Sequence, residues 1–222
     1  GLADVSTLGK IDIVGRDAGV FLDRVYTNTF STLAVGKCRY GLMLREDGMV
    51  FDDGTTTRLG PDRFLMTTTT ANAGPVMEHL EFLLQTQWRD LEVALTSVTD
   101  QWAQMSLSGP KARDTLQAAL EGLDVANGAL PFMGYGEGTI AGARVRVFRI
   151  SFSGELSYEI NVPADRGAAL WDALAAAGAP FGITPFGVEA LLVLRMEKGY
   201  LHLGADTDGT TVPDDLGLSP AL

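Results

Sequence analysis

The chain has 222 residues, and 17 Lys and Arg against 28 Asp and Glu leave a formal net charge of −11. With 46% hydrophobic and 20% charged residues, the composition is that of a folded domain, one large or two small, rather than a disordered chain. The acidity excludes a sequence-independent nucleic-acid binder, which needs clustered Lys and Arg to neutralise phosphates. One cysteine, Cys38, excludes an internal disulfide framework and a structural zinc site built on cysteines. With only His79 and His202, a histidine-rich metal centre is not expected either, and no metal site is assigned.

Residues 1–14 carry no charged n-region followed by an apolar h-region, so no signal peptide is expected there. No stretch approaches the roughly 18 apolar residues of a membrane span. A cytoplasmic location is therefore expected. The first residues run straight into a strand-like pattern and the last lack a cap or charged tail. Both ends look cut, as in a fragment.

In chain order, residues 9–14 alternate and predict a strand, and Val20, Phe21, Leu22 and Val25 predict a short helix near 17–26. Residues 38–45 and 49–58 flank Glu46-Asp47-Gly48, a hairpin signal. Gly60-Pro61-Asp62 turns into a third strand at 63–70, giving a meander. Asn72 is a candidate N-cap for a helix over 73–88, with Val76, Met77, Leu80, Leu83 and Leu84 on one face and Glu78, His79, Glu81 and Gln85 toward water. Strands follow at 91–98 and 101–107, then a helix at 110–120 with Pro110 in its first turn. Residues 139–150 turn at Ala141-Gly142, 157–162 form a strand, and helices near 165–177 and 186–198 flank the Gly- and Pro-rich 178–187. Strands and helices are intermixed throughout, so the class is α+β with antiparallel hairpins. No linker, repeat or low-complexity tract divides the chain.

Two carboxylate positions invite chemistry. Adjacent Asp52 and Asp53 in a strand point to opposite faces. Either both are solvated at a bulge or strand end, or one lies on a covered face, where an ionised carboxylate must be paired or used. In 157–162, Tyr158, Ile160 and Val162 form an apolar face, while Ser157, Glu159 and Asn161 share the other. If that second face meets solvent, Glu159 is unremarkable. If it lines a cleft, Glu159 can take an aminopyrimidine N–H pair on its two oxygens.

Other motifs are weaker. Ser153-Gly154-Glu155 joins two strands and lacks the setting of a serine nucleophile. Gly134-Tyr135-Gly136-Glu137-Gly138 leads into a strand, not the helix a dinucleotide site requires. The stretch at 206–215 has Asp206, Asp208 and Gly209 but no closing glutamate, and is expected to be a structured, capping-rich loop rather than a calcium loop.

Four segments, taken together, carry a family likeness: LADVSTLGK (2–10), CRYGLMLREDGMVFDD (38–53), SLSGPKARDTL (106–116) and SFSGELSYEI (151–160). The chain resembles the glycine cleavage T-protein, or aminomethyltransferase-type, folate-binding family over essentially all 222 residues. Within it, RISFSGELSYEINVP (149–163), ITPFGVEALLVLRMEKGY (183–200) and DTDGTTVPDDLG (206–217) look most like the branch of sarcosine oxidase α subunits. The resemblance implies a folate-binding fold built of ferredoxin-like α+β units with antiparallel sheets. It also implies that residues 1–222 are one such domain, truncated at both ends.

The activity so implied is transfer of an iminium or aminomethyl carbon to tetrahydrofolate, giving 5,10-methylenetetrahydrofolate. The setting is a heterotetrameric enzyme whose other subunits are partners and whose flavin and NAD lie outside this chain. Asp53 matches the catalytic aspartate near folate N5 and N10, and Glu159 the glutamate on the pterin's aminopyrimidine edge. Tyr40 matches the aromatic beside the folate. Thr69, where T-proteins carry Asn, Met133, and Phe152, which replaces a Tyr, complete the implied folate-binding set. Alternatives are a non-catalytic folate-binding or subunit-interaction module, or a related dimethylglycine-type or folate-dependent demethylase.

Overall fold

The structure, a computed structural model, describes residues 1–218. Its first half holds β1 (Leu2–Asp4), β2 (Gly9–Val14), α1 (Ala18–Val25), β3 (Cys38–Leu44), β4 (Val50–Gly60), β5 (Arg63–Thr68), α2 (Ala73–Thr86) and β6 (Ala94–Ser97). The second half holds β7 (Trp102–Ser108), α3 (Ala112–Ala119), β8 (Tyr135–Ile140), β9 (Ala143–Phe148), β10 (Ser157–Pro163), α4 (Gly167–Gly178) and α5 (Val188–Lys198). These elements form two compact units, one of Gly1–Thr7 with Asp100–Tyr200, the other of Leu8–Thr99 with the stretch from Leu201 on. No helix among the described residues is long and apolar enough to cross a membrane. No cluster of metal-ligating side chains occurs among them either.

In the unit built on residues 8–99, five antiparallel strands run in the order β3-β4-β5-β2-β6. Alternation along β2 and β5 sends Ile11, Ile13, Phe64 and Met66 to one face. There they meet Phe21 and Leu22 of α1 and Val76 and Leu80 of α2 in a closed core. The hairpin expected at 38–58 is present, with Gly48 at φ 82° in its turn, a conformation that favours glycine. Gly54 is needed for another reason: a Cβ there would stand 2.1 Å from the carbonyl oxygen of Thr67.

The strand expected at 63–70 ends at Thr68, and Thr70–Asn72 form a 3₁₀ turn into α2. Asn72 precedes α2 but makes no side-chain cap; its amide is spent elsewhere, as described below. His79 is half-buried rather than solvated, its ring edge-to-face on Phe51 with centroids 5.2 Å apart.

The other unit has the antiparallel order β1-β7-β10-β9-β8. Met105 and Leu107 of β7, Val145 and Val147 of β9, and Tyr158, Ile160 and Val162 of β10 form one apolar face. That face packs with Leu116 of α3 and Leu170 and Leu174 of α4. The strands expected at 91–98 and 101–107 both exist, but a 3₁₀ turn at Thr99–Gln101 separates them and they join different sheets. Helix α3 starts at Ala112, so Pro110 sits in the preceding turn. Ala141 and Gly142, both at positive φ, close the β8–β9 hairpin, the backbone that a two-residue turn between right-twisted strands adopts.

Candidate functional site

Strand alternation does separate the two aspartates. Asp52 lies opposite Met43 of the core, and Asp53 opposite Leu42. Tyr40 pairs with Thr55, so it shares a face with Asp53 at the diagonal position, within reach of a long side chain. Its hydroxyl donates to Asp53 Oδ2 at 2.8 Å. Neither carboxylate is at a solvated strand end: Asp52 is 1% exposed and Asp53 is half-buried.

Each carboxylate is held by its own set of partners. Asp52 Oδ1 accepts from the Asn72 side-chain amide at 3.1 Å, and Oδ2 accepts from the backbone N–H of Thr69 at 3.3 Å. Burial raises the Asp52 carboxyl to about 7, against the pull of the Thr69 and Asn72 hydrogen bonds and with the help of the Asp53 charge. Burial also raises Asp53, opposed by the Tyr40 hydrogen bond, the charge of His202 and the Thr69 hydroxyl. Burial first, then the charge of Asp53 and the bond to it, push the Tyr40 phenol up. Tyr40 therefore remains a donor.

Thus Tyr40, Asp53 and Thr69, three residues the sequence singled out, converge in one unit. Asn72 is the addition. Asn72 looked like a helix cap because Asn is a common one; no local pattern shows that its amide is used 20 residues back.

In the other unit, Glu159 sits in a row of register partners, Ser106, Glu159, Phe148 and Tyr135, on the face opposite the core. That face is not solvated: Ser157 and Asn161 are buried, as are Gln104, Ser106 and Ser108. Gln104 donates its side-chain amide to Glu159 Oε2. Ser108 and Ser157 share a hydrogen bond of 2.7 Å. Gln104 pairs in register with Asn161, and both are 1% exposed. Yet Gln104 Oε1 and both amide atoms of Asn161 lack a hydrogen-bond partner among the described residues. Buried polar atoms are satisfied in the great majority of cases, so three orphans beside one carboxylate mark this place.

Met133 and Phe152, both half-buried, lie in the connections before β8 and between β9 and β10. Met133 is held at φ 59° while its N–H donates to the Arg149 carbonyl at 2.9 Å. A non-glycine residue in this region is uncommon and carries strain.

The family model for the GCVT N-terminal domain matches residues 1–222. The chain belongs to the GCVT family. Among curated relatives, it is 56% identical over 219 residues to the sarcosine oxidase subunit alpha of Rhizobium meliloti, covering 98% of this chain and 22% of that protein. It is 33% identical over 213 residues to the aminomethyltransferase of Chloroherpeton thalassium, covering 96% of this chain and 57% of the relative. The solved aminomethyltransferase T of the glycine cleavage system from Bartonella henselae superposes with a TM-score of 0.85 at 28% identity, over 100% of this chain and 57% of that one. The chain thus spans only about a fifth of the α subunits it resembles and little more than half of the aminomethyltransferases, and it has the GCVT fold expected from the sequence.

Proposed function

We propose that this GCVT domain binds tetrahydrofolate and carries one-carbon transfer to it, giving 5,10-methylenetetrahydrofolate. We place the domain in a heterotetrameric sarcosine oxidase that demethylates sarcosine oxidatively to glycine. The observation that carries the proposal is the half-buried Tyr40–Asp53 pair, a carboxylate held by the Tyr40 hydroxyl on a strand face. The partners would be the other subunits of that enzyme, with flavin and NAD bound outside this chain.

The residues present fit a folate. An aminopyrimidinone edge needs a carboxylate opposite its N–H donors, together with amides that both donate and accept. Glu159 is that carboxylate, and the orphaned atoms of Gln104 and Asn161 are those amides. When bound, tetrahydrofolate supplies the nucleophilic nitrogens N5 and N10.

The remaining roles belong to this chain. The ionised Asp53 carboxylate stabilises the cationic iminium that delivers the carbon. It accepts a proton at Oδ1 or Oδ2 as a folate nitrogen bonds to carbon, because burial has moved it toward the range of a working base. Tyr40 fixes the carboxylate's orientation, and the Thr69 hydroxyl supports it. Met133 and Phe152 would give apolar walls to the folate. Calorimetric titration of tetrahydrofolate into the full-length α subunit, assembled with its partner subunits, tests the binding assignment. Glu159→Gln is expected to weaken folate at least tenfold with sarcosine oxidation unchanged, and equal affinity would overturn it.

A further inference from the structure

The ladder between β4 and β5 stops short of Asp53. Its register runs from Gly60 opposite Arg63 to Thr56 opposite Met66. Continued at the same register, it would set Asp53 opposite Thr69. Side chains take over there instead. Thr67 Oγ1 accepts from the Thr55 N–H at 3.1 Å and donates to the Thr55 carbonyl at 2.8 Å. Farther along, Asp52 Oδ2 accepts the Thr69 N–H at 3.3 Å and Asp52 Oδ1 accepts the Asn72 amide at 3.1 Å. The same Asn72 nitrogen donates to the Phe51 carbonyl at 3.0 Å, and the Asn72 backbone N–H closes the turn on the Thr69 carbonyl at 3.1 Å. Asp52 therefore grips both ends of the Thr69–Asn72 turn from the strand position next to Asp53.

A carboxyl is a costly choice at position 52. The residue is 1% exposed and lies opposite Met43 of the apolar core, where an apolar side chain carries no desolvation penalty. Two donors approach it, and only a side chain that accepts on both of its outer atoms meets both. An amide of the same size would turn its NH₂ group toward one of them.

We propose that Asp52 and Asn72 are positioning residues that hold Thr69 against Asp53, in place of the ladder bonds missing at that point of the sheet. The two adjacent carboxylates then have separate tasks. Asp53 shares its face with Tyr40 and meets the reacting groups, while Asp52 fixes the neighbouring backbone from the core side. The value of that spacing for carbon transfer rests on the folate reading above; the clamp itself does not.

The test uses the full-length α subunit assembled with its partner subunits, as wild type, Asp52→Asn, and Asp52→Asn combined with Asn72→Asp. In the combined variant the amide at position 52 donates to the carboxylate at position 72, and its oxygen still accepts the Thr69 N–H. One readout is hydrogen exchange at the Thr69 amide without folate. The other is the yield of 5,10-methylenetetrahydrofolate per flavin reduced during sarcosine turnover, a ratio that does not move when a variant merely unfolds part of the enzyme. In Asp52→Asn the Thr69 amide should exchange about tenfold faster, as a hydrogen bond to a charged acceptor is lost. The ratio should fall by roughly ten- to a hundredfold, the scale of a displacement of about 1 Å. The combined variant should recover a large part of both. Unchanged exchange in Asp52→Asn, or no recovery in the combined variant, overturns the proposal. Faster exchange with an unchanged ratio leaves a clamp that only supports the fold, and overturns the positioning role. If Asp52→Asn does not assemble, Asn72→Ser, which removes one donor to Asp52, is read in the same way. If wild type forms no methylenetetrahydrofolate, the folate reading fails, and Thr69 exchange alone decides the clamp.

Discussion

Tyr40 and Asp53 sit on adjacent strands, diagonal to each other on one face, and the phenol donates to the carboxylate across 2.8 Å. Because the bond favours the ionised carboxyl, Tyr40→Phe should raise the Asp53 midpoint further, by about one pH unit, and cost roughly 1–3 kcal/mol of stability as a hydrogen bond to a charged group is lost. Carboxyl NMR and urea denaturation of the same variant check both numbers. A midpoint that falls would contradict the pairing.

Asp52 gives the fold a pH dependence of definite sign. Its carboxyl releases a proton near 3.8 in the unfolded chain and at about 7 in the native state. Between those values the native state holds a proton that the unfolded state has lost, so stability falls as pH rises through this window and is level above it. The loss is on the order of 2–4 kcal/mol. Urea denaturation from pH 4 to pH 8 should therefore show a slope that is shallower in Asp52→Asn. Other titrating groups are common to both proteins and cancel in the difference. Parallel curves would show that Asp52 titrates normally.

Gly54 is a packing requirement of the site strand. A methyl group there would meet the Thr67 carbonyl oxygen at 2.1 Å, against backbone that cannot swing away. Gly54→Ala should lose about 2–4 kcal/mol and, by shifting β5 from β4, displace Thr69 from the carboxylates. Thermal unfolding measures the first effect, and the Asp53 NMR midpoint reports the second.

The orphaned amide of Asn161 separates stability from function. Replacing a buried, unpartnered polar side chain with an apolar one of similar shape removes a desolvation penalty of about 1–3 kcal/mol. Asn161→Val, on a strand where a β-branched residue is favoured, should therefore raise the chain's stability by about 1 kcal/mol. The same change should weaken tetrahydrofolate in the full-length enzyme several-fold. A variant that loses stability would mean Asn161 is already satisfied in solution.

Local patterns in the sequence account for much of this. The hairpin around Gly48 and the alternating Tyr158, Ile160 and Val162 are short-range signals, and the opposition of Asp52 to Asp53 follows from the strand period alone. Strand alternation singled out Asp53 and Glu159, and the family resemblance supplied their roles together with Tyr40 and Thr69. What could not be read is long-range. Two consecutive strands, Ala94–Ser97 and Trp102–Ser108, enter different sheets because of a three-residue turn whose composition does not announce it. The solvated option for Ser157 and Asn161 was undone by burial that periodicity cannot see, since it reports a polar face but not what covers it. Asn72 and Gln104 acquire their roles from partners 20 and 55 positions away.

The central claim is that Asp53 serves the capture of a one-carbon unit by folate. The direct measurement is the fate of that carbon during sarcosine turnover by the complete enzyme with tetrahydrofolate present, in wild type and Asp53→Asn. The account predicts that flavin reduction is unchanged while the yield of 5,10-methylenetetrahydrofolate falls by roughly 10²-fold, within the range for loss of a positioned acid–base group, and free formaldehyde rises to match. Unchanged partition between methylenetetrahydrofolate and formaldehyde would contradict it.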